Sequence, residues 1–194
     1  MNTVFVDVDT QIDFLFPAGA LYVPGAERIV SRIARLNRHA ARTGCAVLSS
    51  VDAHAENDPE FSQWPAHCVV GTVGQHKPDS TLLDERIVVR STYGAVFSLD
   101  SCLQILLEKQ HLDVFSNANL QFVLDHLQAQ RFVVYGVVTE VCVRFAALGL
   151  LRLGKLVELV TDATRSLDET KAEEMFREFT AAGGLLTTAA AVLQ

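Results

Sequence analysis

Along the chain, short unbroken apolar runs alternate with segments whose apolar residues recur at helical spacing. Thr3–Val8 (TVFVDV) is rich in β-branched residues and ends toward an acid, which predicts a buried strand. A loop marked by Pro17, Gly19, Pro24 and Gly25 follows. Residues 26–42 carry Ile29, Ile33 and Leu36 on one helical face, with Gly44 as the stop. Residues 45–51 (CAVLSSV) predict a second strand. Residues 52–78 are polar and aperiodic, and a loop of that length in a folded domain usually carries function. Residues 86–90 and 102–108 predict two more strands, linked through Tyr93 and Gly94, either as a hairpin or apart. A helix over 117–128 places Leu120, Val123, Leu124 and Leu127 together. Residues 131–138 (RFVVYGVV) give the clearest strand, followed by a helix over 141–153 that Gly154 ends. A strand over 156–160, a helix over 168–182 and a last strand at Leu185–Thr187 complete the pattern.

This β-α-β alternation, with strands apolar throughout, is expected when helices cover both faces of a sheet. The pattern therefore predicts an α/β fold in one domain spanning 1–194. Its core is a doubly wound, mostly parallel sheet with helices on both faces. Such sheets bind ligands beyond the carboxyl ends of their strands. Asp9, the Asp52-Ala53-His54 stretch, Lys109 and the Thr139-Glu140-Val141-Cys142 stretch stand at those ends.

Composition narrows the function classes. Lys+Arg 16 against Asp+Glu 23 leaves a net charge of −7, which argues against a nucleic-acid partner. A hydrophobic content of 49% excludes a disordered chain. No apolar run suits a membrane span, and the first residues lack the basic flank and apolar core of a signal peptide. The expectation is a cytoplasmic protein without a membrane partner. Its four cysteines include no CxxC pair and are expected to be free thiols.

One thiol stands apart. A free cysteine is more often inert packing, but Cys142 follows a strand-to-helix turn, where free N–H groups and the helix dipole favour a thiolate. N–H groups at such a turn also suit an oxyanion hole. Lys109, taken alone an ordinary strand-end lysine, would hold that thiolate and lower the thiol pKa. Asp9 is suited to carry the mobile proton, and spacing does not separate it from Asp13. Asp52, His54 and His67 offer two imidazoles and a carboxylate, a set suited to Zn, Mn or Fe. Any of Glu56, Asp58 and Glu60 is placed to complete it. His39, His76, His111 and His126 show no comparable spacing and are expected on the surface.

Taken together, the segments VDVDTQIDF, VDAH, WPAHCVVGT, EKQHLDVFSNANL and GVVTEVCVRFAALGLLRLG resemble the isochorismatase-like cysteine hydrolases, and within them the nicotinamidases. The likeness runs nearly end to end and implies a Rossmann-like three-layer α/β fold. It implies Asp9, Lys109 and Cys142 as the catalytic triad, so that Asp9 is preferred to Asp13 and Lys109 to Arg90. It implies a cis peptide between Val137 and Val138, and an oxyanion hole from Val138 and Cys142. Asp52, His54, Glu60 and His67 match the family's metal ligands, and Phe14 and Trp64 its substrate pocket. The implied reaction is metal-dependent hydrolysis of nicotinamide, or of a similar small aromatic carboxamide, to the acid and ammonia through a thioester. In that picture the metal holds the substrate's ring nitrogen, the product feeds NAD salvage, and a homo-oligomer is among the expected partners. Two features depart from the family pattern. The segment 78–103 is longer than usual, which points to a pocket mouth or oligomer contact of different shape, and Ala66 stands where proline is common. The alternatives are a related amidase or ureido hydrolase acting on another small amide, and a catalytically idle member serving as a binding module.

Overall fold

The computed structural model describes residues 2–94, 97–99 and 102–194. In chain order its regular elements are β1 (Thr3–Val8), α1 (Ile12–Leu15), α2 (Val30–Arg42), β2 (Ala46–Asp52), β3 (Arg86–Val89), β4 (Gln104–Lys109) and α3 (Leu120–Leu127). They continue with β5 (Arg131–Val137), α4 (Arg144–Arg152), β6 (Leu156–Arg165), α5 (Glu169–Ala181), β7 (Leu185–Thr187) and α6 (Ala189–Val192). The strands form one sheet in the order β3-β4-β2-β1-β5-β6-β7, and every neighbouring pair is parallel. The chain first winds outward from β1 through β2, then crosses back to place β5 on its other side. The carboxyl ends of β1 and β5 therefore flank the switch point, where doubly wound sheets leave a crevice.

Strand side chains alternate between two cores. Val4, Val6, Val8 and Leu48 share one core with Val123 of α3, Ala146 and Ala147 of α4, and Phe179 of α5. Phe5, Val47, Val133 and Tyr135 share the other with Ile33, Leu36 and Ala40 of α2. Both faces are thus covered, which is why the strand sequences read as continuous apolar runs. Among the described residues no helix is long and apolar enough to cross a membrane.

The structure departs from the sequence expectation mainly at element ends. β3 and β4 are parallel neighbours, in register from Arg86 opposite Gln104 to Val89 opposite Leu107, so they are neither a hairpin nor apart. Parallel neighbours need a crossover rather than a tight turn, and the segment holding Tyr93 and Gly94 serves as that connection. Its residues 95, 96, 100 and 101 lie outside the described part. The helix expected from residue 141 is preceded by a wide π-helical turn, Thr139–Val143, and β6 runs on to Arg165 past an irregularity in its register with β5. The four-residue helices α1 and α6 are too short to leave a periodic signature. Cys45 and Cys102 are half-buried, whereas Cys68 and Cys142 are buried.

One buried polar network was not anticipated. Asp7 is fully buried on β1 and accepts hydrogen bonds from Thr10 Oγ1 (2.6 Å) and Asn37 Nδ2 (2.9 Å), with Lys77 Nζ 3.0 Å away. Tyr135 Oη donates to Asn37 Oδ1 (2.5 Å), and Lys77 also donates to Thr10. The network ties the end of the 52–78 loop to the sheet. Lys77→Met leaves the Asp7 carboxylate buried without its cation and is expected to lower stability by about 3–5 kcal/mol in urea unfolding. The double variant Asp7→Leu/Lys77→Met is expected to lose less than Lys77→Met alone, because no unpaired charge remains.

Candidate active site

The strand ends bring four expected residues into contact. Lys109, the last residue of β4, is completely buried. Its Nζ lies 2.9 Å from Asp9 Oδ2, 2.5 Å from Asp52 Oδ1 and 3.7 Å from Cys142 Sγ. Asp9 follows β1 with φ +49°, a left-handed conformation in which the chain leaves the sheet, and Ser50 Oγ donates to its Oδ1 at 2.7 Å. Asp52 ends β2 in register opposite Lys109. Cys142 sits in the π-helical turn after β5 and is 6% exposed.

Gly136 is needed for this approach. It lies opposite Val8 of β1 with φ +123°, and a Cβ there would overlap the Val8 backbone. The peptide between Val137 and Val138, one residue further on, is cis, and the Val138 carbonyl accepts from the N–H groups of Val141 (3.0 Å) and Val143 (3.1 Å).

The electrostatics differ from the expectation of a lowered thiol pKa. Burial pushes the Cys142 thiol well above its ordinary value; Lys109 opposes this, but Asp9 and Asp52 reinforce it. Burial also raises Asp9, against the pull of Lys109. Burial would raise Asp52 too, but Lys109 and the two imidazoles overcome it and hold that carboxyl well below the usual carboxylate range. Asp52 is therefore the fixed anion. Asp9 and Cys142 face one ammonium, and burial raises the affinity of the Asp9 carboxylate for a proton, an arrangement that suits transfer of the thiol proton to it. The helix-terminus argument fails because desolvation outweighs a dipole effect of about 0.3–1 kcal/mol.

Asp52 uses its other oxygen differently. Its Oδ2 lies 3.6 Å from His67 Nε2 and 3.9 Å from His54 Nε2, and Glu60 Oε1 lies 4.0 Å from each of those nitrogens. Asp52, His54 and His67 offer ligand atoms all within 4.8 Å of one another. The separations are too wide for hydrogen bonds, but close to those of atoms sharing one ion at about 2.0–2.2 Å. His54 Nε2 is buried and has no hydrogen-bond partner among the described residues. The His67 ring is oriented from behind, as ligating histidines usually are, by the Pro65 carbonyl 2.7 Å from its Nδ1, and His54 Nδ1 lies at ion-pair distance, 3.1 Å, from Asp58 Oδ2. Burial disfavours a charged His54, yet Asp52, Asp58 and Glu60 outweigh it and favour the cation. The donor set, the unpartnered nitrogen and this demand for positive charge all fit a divalent metal.

A narrow cavity opens beside these groups. Phe14, Trp64, Leu112, Val138 and Val141 form apolar walls, and Asp52, Glu60, His67 and Cys142 supply its polar atoms. Of the residues expected at the site, Phe14, Asp52, Glu60, Trp64, His67, Val138 and Cys142 line it, while Asp9, His54 and Lys109 are buried beneath them. Asp13 is not among them: its carboxylate accepts from the N–H groups of Ala20 (2.9 Å) and Cys68 (2.7 Å), pinning two loops together. Arg90 is exposed beyond β3, and Asp58 lies behind His54 rather than beside the Nε2 atoms. None of the described residues in 78–103 lines the cavity. Sequence reasoning missed Leu21, Leu112 and Leu167 as wall residues, and Phe61, whose ring centroid lies 5.3 Å from that of His54 and 5.7 Å from that of His67. Only Leu112, three residues after the lysine, carried a signal.

Known proteins share this arrangement of chain. The nicotinamidase of Escherichia coli (strain K12) is 28% identical over 94% of this chain and 93% of its own. A zinc-complexed pyrazinamidase of Pyrococcus horikoshii superposes with a TM-score of 0.80 at 26% identity, covering 97% of this chain and 99% of that one. A nicotinamidase of Bacillus subtilis, at 22% identity, has a TM-score of 0.82 over 96% and 99% of the two chains and shows the same fold. The isochorismatase domain model matches residues 3–104 and 103–191, nearly the whole length, and the chain belongs to the isochorismatase family.

Proposed function

We propose that the protein is a metal-dependent amidohydrolase that converts nicotinamide, or a similar small aromatic carboxamide, to the acid and ammonia. The observation that carries this reading is the buried contact of Lys109 with Asp9, Asp52 and Cys142 beneath a largely apolar slot that His67 edges. The similarity to the Escherichia coli nicotinamidase and to the zinc-complexed pyrazinamidase supports the substrate class.

Asp9 takes the Cys142 proton as Sγ attacks the carboxamide carbon. The N–H groups of Val138 and Cys142 receive the oxyanion. Asp9 then protonates the departing nitrogen, ammonia leaves and a thioester to Cys142 remains. Water adds to that thioester while Asp9 accepts its proton; the acid is released and the proton returns to Sγ. Lys109 keeps its charge throughout and holds Asp9 against the thiol. Phe14 and Trp64 supply flat apolar walls for an aromatic ring. Asp52, His54, His67 and Glu60 would hold a divalent metal such as Zn, Mn or Fe. When bound, that ion would supply an electrophilic contact for a ring nitrogen and so orient the amide. The wall composition favours an aromatic amide over the alternatives, and the intact triad argues against an idle binding module.

Cys142→Ala is expected to lower ammonia release from nicotinamide by at least about 10³-fold with the fold intact by circular dichroism; retained turnover would count against the nucleophile. Stripping metal with a chelator is expected to abolish turnover near KM, with zinc or manganese restoring it; full activity in a metal-free sample would remove the metal from the proposal. Benzamide, which lacks the ring nitrogen, is expected to show a kcat/KM about 10²-fold lower than nicotinamide. Equal rates for the two amides would show that ring-nitrogen recognition is absent.

A further inference from the structure

The proposed mechanism gives no task to Gln11, yet its side chain is fully buried and engaged through both ends of its amide. Its Oε1 accepts from the Asp52 N–H at 2.7 Å, and its Nε2 donates to the Asp52 carbonyl and to the Gln75 carbonyl, each at 2.8 Å. The reason lies in the sheet. β1 and β2 are paired from Val4 opposite Ala46 to Val8 opposite Ser50, and beyond Asp9 the chain turns away. The backbone of Asp52 would then lose its ladder partner on that side, although Lys109 still faces it on the other. The Gln11 carboxamide has the donor and acceptor of a peptide group and replaces the missing partner, so β2 stays paired on both edges through its last residue.

The third bond extends this effect to the rest of the cluster. Gln75 lies on the return arm of the loop that carries His67, and the adjoining residue is held as well, by a bond from the Ile12 N–H to the His76 carbonyl at 2.8 Å. One side chain therefore ties the strand that carries Asp52 to the loop that carries His67. We infer that Gln11 is a positioning residue that sets the spacing of Asp52, His54 and His67 and thereby their affinity for a divalent cation. The inference rests on the metal reading above.

The test uses the full chain, stripped of metal and titrated with zinc against a competing chelator. Gln11→Leu and the milder Gln11→Asn, whose amide is too short to span the three partners, are compared with wild type. Val123→Ala serves as a control that removes packing beneath α3, far from the loop. Gln11→Leu is expected to weaken zinc binding about 10–100-fold, as loss of groups that orient metal ligands generally does. Gln11→Asn is expected to move the same way by less, and Val123→Ala to leave the affinity unchanged despite lower thermal stability. At saturating zinc most of kcat is expected to return in the Gln11 variants. Zinc affinity equal to wild type in either folded Gln11 variant would overturn the inference, as would an equal loss in Val123→Ala. If Gln11→Leu does not fold, Gln11→Asn decides. Absence of zinc binding by the wild type would overturn the metal reading itself and the inference with it.

Discussion

A buried ammonium governs the chemistry of this protein. Lys109 has no exposed surface, and a cation held in such surroundings needs anions at contact distance. Two carboxylates meet that need, and they respond differently. Asp52, also adjacent to two imidazoles, is held ionised. Asp9 faces a thiol, and burial raises its affinity for a proton. The same ammonium thus fixes one acid as a structural charge and leaves the other, in the proposed mechanism, to carry the proton. Asp52 then links two neighbourhoods, since one of its oxygens meets Lys109 and the other the histidines.

The sheet makes this crowding feasible. Its parallel strands deliver side chains from β1, β2, β4 and the turn after β5 to one rim, and the reversal of winding at β1 leaves space above them. The segment after β1 fixes the loops around that space. Thr10 meets Lys77, Gln11 meets Asp52 and Gln75, Ile12 meets His76, and Asp13 meets Ala20 and Cys68. Four successive residues therefore hold the metal-type loop in place, and only their neighbours Asp9 and Phe14 face the reacting groups or the cavity.

Strands and long helices could be read from the sequence because burial on both faces leaves unbroken apolar runs and helical spacing. The strand-end rule then located Asp9, Asp52, Lys109 and Cys142. What it could not supply was direction. Asp9 and Asp13 have similar local surroundings in the sequence, and only the family likeness preferred Asp9; the reason, that the Asp13 carboxylate is spent on two backbone N–H groups, depends on where distant loops return. Phe61 and Gln11 escaped notice for the same reason, since their partners lie on other segments. Asp7 was hidden by its own strand: an acid in an apolar run gives no hint of a lysine arriving from 70 residues further along. The thiol's protonation was misread because helix-end position is visible in a sequence and depth of burial is not.

The high thiol pKa has a consequence outside catalysis. Oxidants and alkylating agents react with thiolates, and burial both disfavours the thiolate of Cys142 and leaves only 6% of the residue exposed. In the proposed mechanism its reactivity develops only as an amide carbon arrives and Asp9 draws off the proton. Cys45 and Cys102 are the more accessible sulfurs and would meet peroxide first. On the proposed mechanism the working thiol is thus shielded by its burial, whereas the two more open cysteines lie away from the site.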